Sequence, residues 1–313
     1  MIIRRKMKKL ICVSILVILS VFSLVSCKAD DYDKALELIE AGENEEAYEL
    51  LKSVGFYKNA KKMLKDFYFV PTRIGNEYKN ADIIYDERHF PVKYVLHRNN
   101  GKEDSAFYEF DDNGFLLSVY YDENLGDSEI KYFYNRDGSL ANEIMYWSFS
   151  ESIAYAAAYT YDDDGNMIEK DYGDLKRIYT YDRKGKLVKA FSTTGEPNAE
   201  ERVVTKYFYD SKGRLIKKVC DPLSKYNYSE YFYDSKGRLV KTEGDYVGEI
   251  ETITSVYDDN DNLVEEIMVR PYYGEERHVY IEYECIYAPN LPSKIKERLD
   301  VNVWRELSCW WIP

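Results

Sequence analysis

The chain has 313 residues, 45% hydrophobic and 32% charged, with 8 Pro and 16 Gly, which fits one large or two ordinary globular domains and excludes collagen-like, low-complexity and disordered chains. Its net charge of −13, from 43 Lys and Arg against 56 Asp and Glu, argues against a nucleic-acid partner, because phosphate binding needs clustered cations. The outlier is 32 Tyr beside 13 Phe and 4 Trp, an aromatic load that suits half-buried strands better than helices.

Residues 1–9 carry Arg4, Arg5, Lys6, Lys8 and Lys9, and Leu10 to Val25 is then a 16-residue uncharged run. This is the positive and apolar pattern of a secretory signal, and it is short of the ~20 residues a spanning helix needs. The sequence Leu24-Val25-Ser26-Cys27 resembles the lipobox of bacterial lipoproteins. That resemblance implies a signal peptide over 1–26 and a diacylglyceryl group on Cys27. It places the exported protein on the outer face of the cell membrane or on the outer membrane. More than one acyl chain at Cys27 would make the anchor stable. An ordinary secreted or uncleaved segment is the alternative. Without residues 1–26 the chain keeps 38 basic against 56 acidic residues, a net charge of −18. Cys220, Cys285 and Cys309 remain; three thiols allow at most one internal disulfide, and buried free thiols are the expectation. No Cys-x-x-Cys spacing points to zinc.

Residues 31–69 read as helical. Ala35, Leu36, Leu38 and Ile39 form an apolar face that Gly42 ends, Asn44 is placed to cap a second helix, and Gly55 closes that one. A third segment runs from Tyr57 to Phe67, with Pro71 as its stop. The spacing is similar to one and a half tetratricopeptide units. Fewer than three such units rarely stand alone, so the region over 27–72 is expected to be a small helical collar behind the anchor.

From about residue 83 the chain repeats an aromatic-Asp-x-x-Gly-x-Leu core. Seven copies start at Phe110, Tyr134, Tyr161, Tyr181, Tyr209, Tyr233 and Tyr257, 20 to 28 residues apart. Weaker blocks at Tyr85 and Tyr287 look like terminal caps. Asp followed three residues later by Gly predicts a type I turn with a left-handed last residue, the three-residue hairpin with a bulge. The turn and core residues are Tyr161, Asp162 and Gly165; Tyr181, Asp182 and Gly185; Tyr209, Asp210 and Gly213; Tyr233, Asp234 and Gly237. Pairing Asp210 with Arg214 puts Tyr209 opposite Leu215 and Tyr207 opposite Lys217. Phe208 and Ile216 then fall on the other face. The Tyr-x-Tyr face is expected to be the packed one. These units resemble the YD repeats of RHS-type proteins, most closely at Tyr207–Leu215 and Tyr231–Leu239. The resemblance implies hairpins joined edge to edge, in a family whose smaller surface members bind carbohydrate or protein. MORN-type repeats are the runner-up and lack the Tyr-Asp step.

No G-x-S-x-G, H-E-x-x-H, G-x-G-x-x-G or P-loop pattern is present, so no cofactor and no catalytic residue is expected. His89, His97 and His278 read as packing or surface residues. The Asp-rich turns at Asp162 and Asp258 lack the Glu a calcium loop needs at position 12, where Gly173 and Val269 stand. Val303-Trp304 and Cys309-Trp310-Trp311-Ile312 are expected to cover the last open strand edge.

The sequence therefore predicts a mainly β protein: an elongated antiparallel sheet of repeated YD-type hairpins, about 16 strands, over 76–313, behind the collar. The expected role is non-catalytic, a lipid-anchored surface binding or scaffold module. Phe208 and Phe232, one repeat apart on the variable face, are the candidate binding residues for carbohydrate or a surface protein. The alternatives are an envelope hydrolase using a carboxylate pair and a passive spacer.

Overall fold

A computed structural model describes residues 28–76, 79–122, 125–148, 150, 152–194, 202–221, 228–246, 249–292 and 295. Residues 1–27, with the expected signal and Cys27, lie outside the described residues, as do Cys309 and the Val303–Ile312 cluster. The chain divides into two compact units, the first reaching Val70 and including Tyr283–Leu291, the second spanning Pro71–Glu282 and the residues from Pro292.

The first unit contains helix α1 (residues 28–41), α2 (Asn44–Val54) and α3 (Ala60–Met63), followed by a 3-10 turn at Leu64–Asp66. Tyr32, Ala35, Leu38, Leu51 and Val54 pack with Phe67 and Cys285 into its core. Gly42 and Gly55 end α1 and α2 with φ of +81° and +65°, the left-handed backbone that glycine adopts most cheaply. Asn44 is the first helical residue and not a cap. Glu43 holds the cap position without a side-chain bond, while Glu45 and Glu46 in the first turn complement the helix dipole. The third helix is also shorter than its pattern suggests. Phe67-Tyr68-Phe69-Val70 is a run of strand formers, and the chain turns extended there rather than at Pro71.

Among the described residues eighteen strands form one sheet. They are β1 (Phe67–Gly75), β2 (Asn80–Tyr85), β3 (Pro91–His97), β4 (Glu103–Phe110), β5 (Leu116–Tyr121), β6 (Ser128–Tyr134), β7 (Leu140–Trp147), β8 (Ser152–Tyr161) and β9 (Met167–Asp171). The series continues with β10 (Leu175–Tyr181), β11 (Leu187–Thr194), β12 (Arg202–Tyr209), β13 (Leu215–Asp221), β14 (Tyr228–Tyr233), β15 (Leu239–Tyr246), β16 (Glu249–Tyr257), β17 (Leu263–Arg270) and β18 (Glu275–Tyr287). Each strand pairs with its successor, β9 with β10 included, and β18 pairs with β1.

The expected elongated sheet is thus corrected: in the second unit the sheet is a closed antiparallel ring. Its closing strands are Pro71–Gly75 and Glu275–Glu282, where the Thr72 hydroxyl donates to the Glu282 carbonyl at 3.3 Å. Closure removes both rows of unpaired N–H and C=O groups that an open array would expose, and accumulated strand twist brings the ends round.

The pleat gives this ring two unlike faces. Ala106, Val119, Ala157, Ala190, Thr205 and Ser255 lie on the inner face and are buried. Phe107, Phe133, Phe208 and Phe232 lie on the outer face and are 41–46% exposed. The register near each turn departs from simple alternation. Tyr209 opposes Leu215, but Phe208 opposes Lys217 and Tyr207 opposes Lys218. Ile216 is the extra residue of a β-bulge, so the expected Tyr207–Lys217 pair is displaced by one.

Candidate functional site

The turns are built from their own aspartates. Asp210 Oδ1 accepts the backbone N–H groups of Lys212 and Arg214 at 2.9 Å each, and Gly213 donates its N–H to the Asp210 carbonyl at 2.9 Å with φ of +86°. Asp162, Asp182 and Asp234 make the corresponding i+4 bond at 2.8–3.0 Å, and Gly165, Gly185 and Gly237 take φ of +82°, +74° and +91°. The Tyr85 block is a full member rather than a degenerate cap. Asp86 accepts from Arg88 and Phe90 at 2.9 and 2.8 Å, and His89 fills the glycine position at φ +62°.

The recurring tyrosine fastens each hairpin to the one before it. Tyr161, Tyr181, Tyr209 and Tyr233 donate their hydroxyls to the carbonyls of Leu140, Met167, Leu187 and Leu215 at 2.8–3.0 Å. Arg214 adds a second fastening. Its guanidinium bonds Asp210 at 2.7–2.8 Å and lies 4.6 Å from the ring centre of Tyr233 in the next hairpin. Arg238 repeats the arrangement with Asp234 and Tyr257.

On this scaffold Phe208 and Phe232 stand on outer β12 and β14, 46% and 41% exposed. Two strand spacings separate them, roughly 10 Å. Lys217, paired with Glu230 at 2.8 Å, lies between their strands, and Lys241 Nζ is 5.7 Å from the Phe232 ring centre. The pair therefore presents two apolar rings among hydrogen-bonding groups.

The inner face holds two features outside the sequence-predicted set. The first is a buried ion pair: Lys170 donates to Glu143 at 2.8 Å, with side chains 18% and 10% exposed. The Lys170 ammonium also lies 5.0 and 4.9 Å from the ring centres of Tyr159 and Tyr172. Burial raises the Tyr159 phenol and pushes the Tyr155 phenol up to about 12. Lys170 is raised despite its own burial, because Glu143, Tyr159 and Tyr172 hold its proton.

The second feature is a groove at the end opposite the Asp-Gly turns. One cavity of about 390 Å³ is lined by Arg177, Val203, Thr205, Lys218, Cys220, Ser229, Gly244 and Glu251 among others. A second, about 780 Å³, shares Glu251 and is lined by Arg270, Tyr273, Gly274, Glu275, Glu276 and Arg277. Here Glu251 is bound by Arg270 at 2.7 Å and Glu275 by Arg277 at 2.5 Å, so these carboxylates are engaged in ion pairs rather than facing one another. Cys220 is free and accepts from the Thr205 hydroxyl at 3.7 Å; Cys285 is free and buried. Among the described residues no three His, Cys, Asp or Glu side chains converge as metal ligands. The groove residues sit at the strand ends away from the Asp-Gly turns, outside the repeated core, so the repeat pattern carried no signal for them.

No family model and no curated protein matches the chain. Among solved structures it is similar to a Photorhabdus luminescens Tc holotoxin pore, with 14% identity and a TM-score of 0.35 over 64% of this chain and 12% of that one. It is also similar to a porin-like protein from Bacteroides uniformis, with 10% identity and a TM-score of 0.36 over 68% of this chain and 96% of that one. The chain thus spans about an eighth of the toxin chain it matches.

Proposed function

We propose that this is a non-catalytic binding or scaffold protein of the cell envelope, anchored by lipid on Cys27, that recognises glycan or protein through the aromatic residues of its repeat sheet. The observation that carries the reading is the recurrence of exposed Phe208 and Phe232 on equivalent strands of a cross-fastened surface. Sugar rings have apolar C–H faces that lie on aromatic rings, and their hydroxyls find partners in the surrounding Lys, Glu and Thr side chains. The same face supports a lipid anchor over insertion of the strands themselves. Lys206, Lys217, Glu230, Lys241, Glu243 and Glu265 point outward along β12–β17, where a membrane barrel carries a continuous apolar band.

The test is a glycan array and an envelope-protein pull-down with wild type and a Phe208→Ser, Phe232→Ser variant. Binding by wild type, lost in the variant at unchanged melting temperature, is expected. Binding that survives both substitutions contradicts the assignment of the site. For the anchor, Cys27→Ala should move the protein out of the membrane fraction.

A further inference from the structure

We infer that the 390 Å³ inner-face cavity binds a small carboxylate-bearing ligand, with Arg177 and Lys218 as its anion-binding groups. The cavity follows from the register. Lys218, Ser229, Gly244 and Glu251 stand opposite one another on β13, β14, β15 and β16. This inner row has a long side chain at each end and the two smallest ones in the middle. A Cβ at Gly244 would reach only ordinary contact with the Tyr228 carbonyl and Ser229 Oγ, at 3.4 and 3.6 Å. The centre of the row is therefore lined by small groups at ordinary contact, with no large side chain of its own to fill it. The volume lies within the range of small-molecule sites.

Charge specifies the occupant. Elsewhere on the sheet Lys170, Lys176, Arg214, Arg238, Arg270 and Arg277 each hold a carboxylate. Arg177 and Lys218 line one cavity and neither has a carboxylate within ion-pairing distance among the described residues. Exposed Arg177 and half-buried Lys218, facing one groove of a protein of net charge −13, form a local pair of cations that a ligand anion bridges. The Thr205 and Ser229 hydroxyls beside them supply neutral hydrogen bonds. Asp245 and Glu251, also on the wall, repel the concentrated double charge of a phosphate more than carboxylates spread along a ligand, one to each cation.

The backbone of this wall is distorted as well. Val203 has φ of +47°, costly for a β-branched residue, at the register shift between β11 and β12. Such bulges re-aim side chains at sites.

The cavity is separate from the outer-face aromatics, so the two readings fail independently. Isothermal titration of the full chain in detergent with digalacturonate, neutral galactobiose and glutarate tests it. At least one of the two acids should bind, with affinity that falls as salt rises. Arg177→Gln and Lys218→Met should each weaken that binding about tenfold or more at unchanged melting temperature. Phe208→Ser with Phe232→Ser should leave it intact. Binding of digalacturonate alone assigns a sugar acid; binding of glutarate as well assigns a simple carboxylate. No binding of either acid, galactobiose bound as tightly as its acid, or affinity unchanged in both cation variants overturns the inference.

Discussion

The hydroxyl of Tyr233 donates to the main-chain carbonyl of Leu215 at 2.8 Å, tying the turn end of one hairpin to the next. The same bond recurs from Tyr209 to Leu187 and from Tyr257 to Leu239. It gives a reason for tyrosine in six of the seven cores, at a position where Phe110 of the first copy supplies the ring alone.

Replacing Tyr233 by Phe should therefore cost about 0.5–1.5 kcal/mol, the net worth of one hydrogen bond. Adding Tyr209→Phe should roughly double the loss, since each tyrosine serves a different carbonyl. Denaturant unfolding of the single and double variants measures it. No loss in the double variant would show that the ring, not the hydroxyl, does the fastening.

Lys170→Ala should be the more damaging change. It leaves Glu143, 8% exposed, as a buried charge without its cation, a loss of about 3 kcal/mol or more. Combining Lys170→Met with Glu143→Gln should recover much of that, because the pair then leaves no uncompensated charge. Equal instability of the single and double variants would contradict this account.

Acid should loosen the turns first. The Asp182 carboxyl is lowered by the backbone N–H groups of Lys186 and Lys184, and Asp210 by the backbone N–H and then the guanidinium of Arg214. Asp162 is lowered by the Asn166 side-chain amide and backbone N–H. A depressed folded value means stability that is present above the unfolded carboxyl range, near ~3.9, and is lost as pH falls through the folded values. Melting temperature should drop below about pH 4. A triple Asp162→Asn, Asp182→Asn, Asp210→Asn variant keeps the acceptors and should show a flatter acid limb. An identical limb in wild type and variant would assign the loss to other carboxylates.

Much of the local fold was legible because it is encoded locally. The Asp210-to-Gly213 spacing carries the turn, and the alternation of Tyr207, Phe208 and Tyr209 carries the two faces. The one-residue displacement at Ile216 was not, since a bulge adds a residue without altering composition. Closure was illegible for a different reason. It depends on β1, whose Phe67–Val70 stretch continues a helical pattern and precedes a proline, and on pairing with β18 some 200 residues away. Pro71 fits there because its carbonyl still accepts, from the Tyr85 hydroxyl at 2.8 Å. The Lys218–Ser229–Gly244–Glu251 row was equally hidden. It forms only when four unlike strand ends are set in register.

Closure of the sheet defines an inside and an outside, and amide hydrogen exchange along β1 tests it most directly. Arg73 and Ile74 oppose Asp82 and Ala81 of β2, and in an antiparallel pair successive N–H groups point to alternate sides. One of these two amides is therefore held by β2 and the other by β18. The closed ring predicts that both are protected, to the level of the amides in β12 and β13. Protection of one and fast exchange of the other would mark β1 as a free edge and contradict the ring.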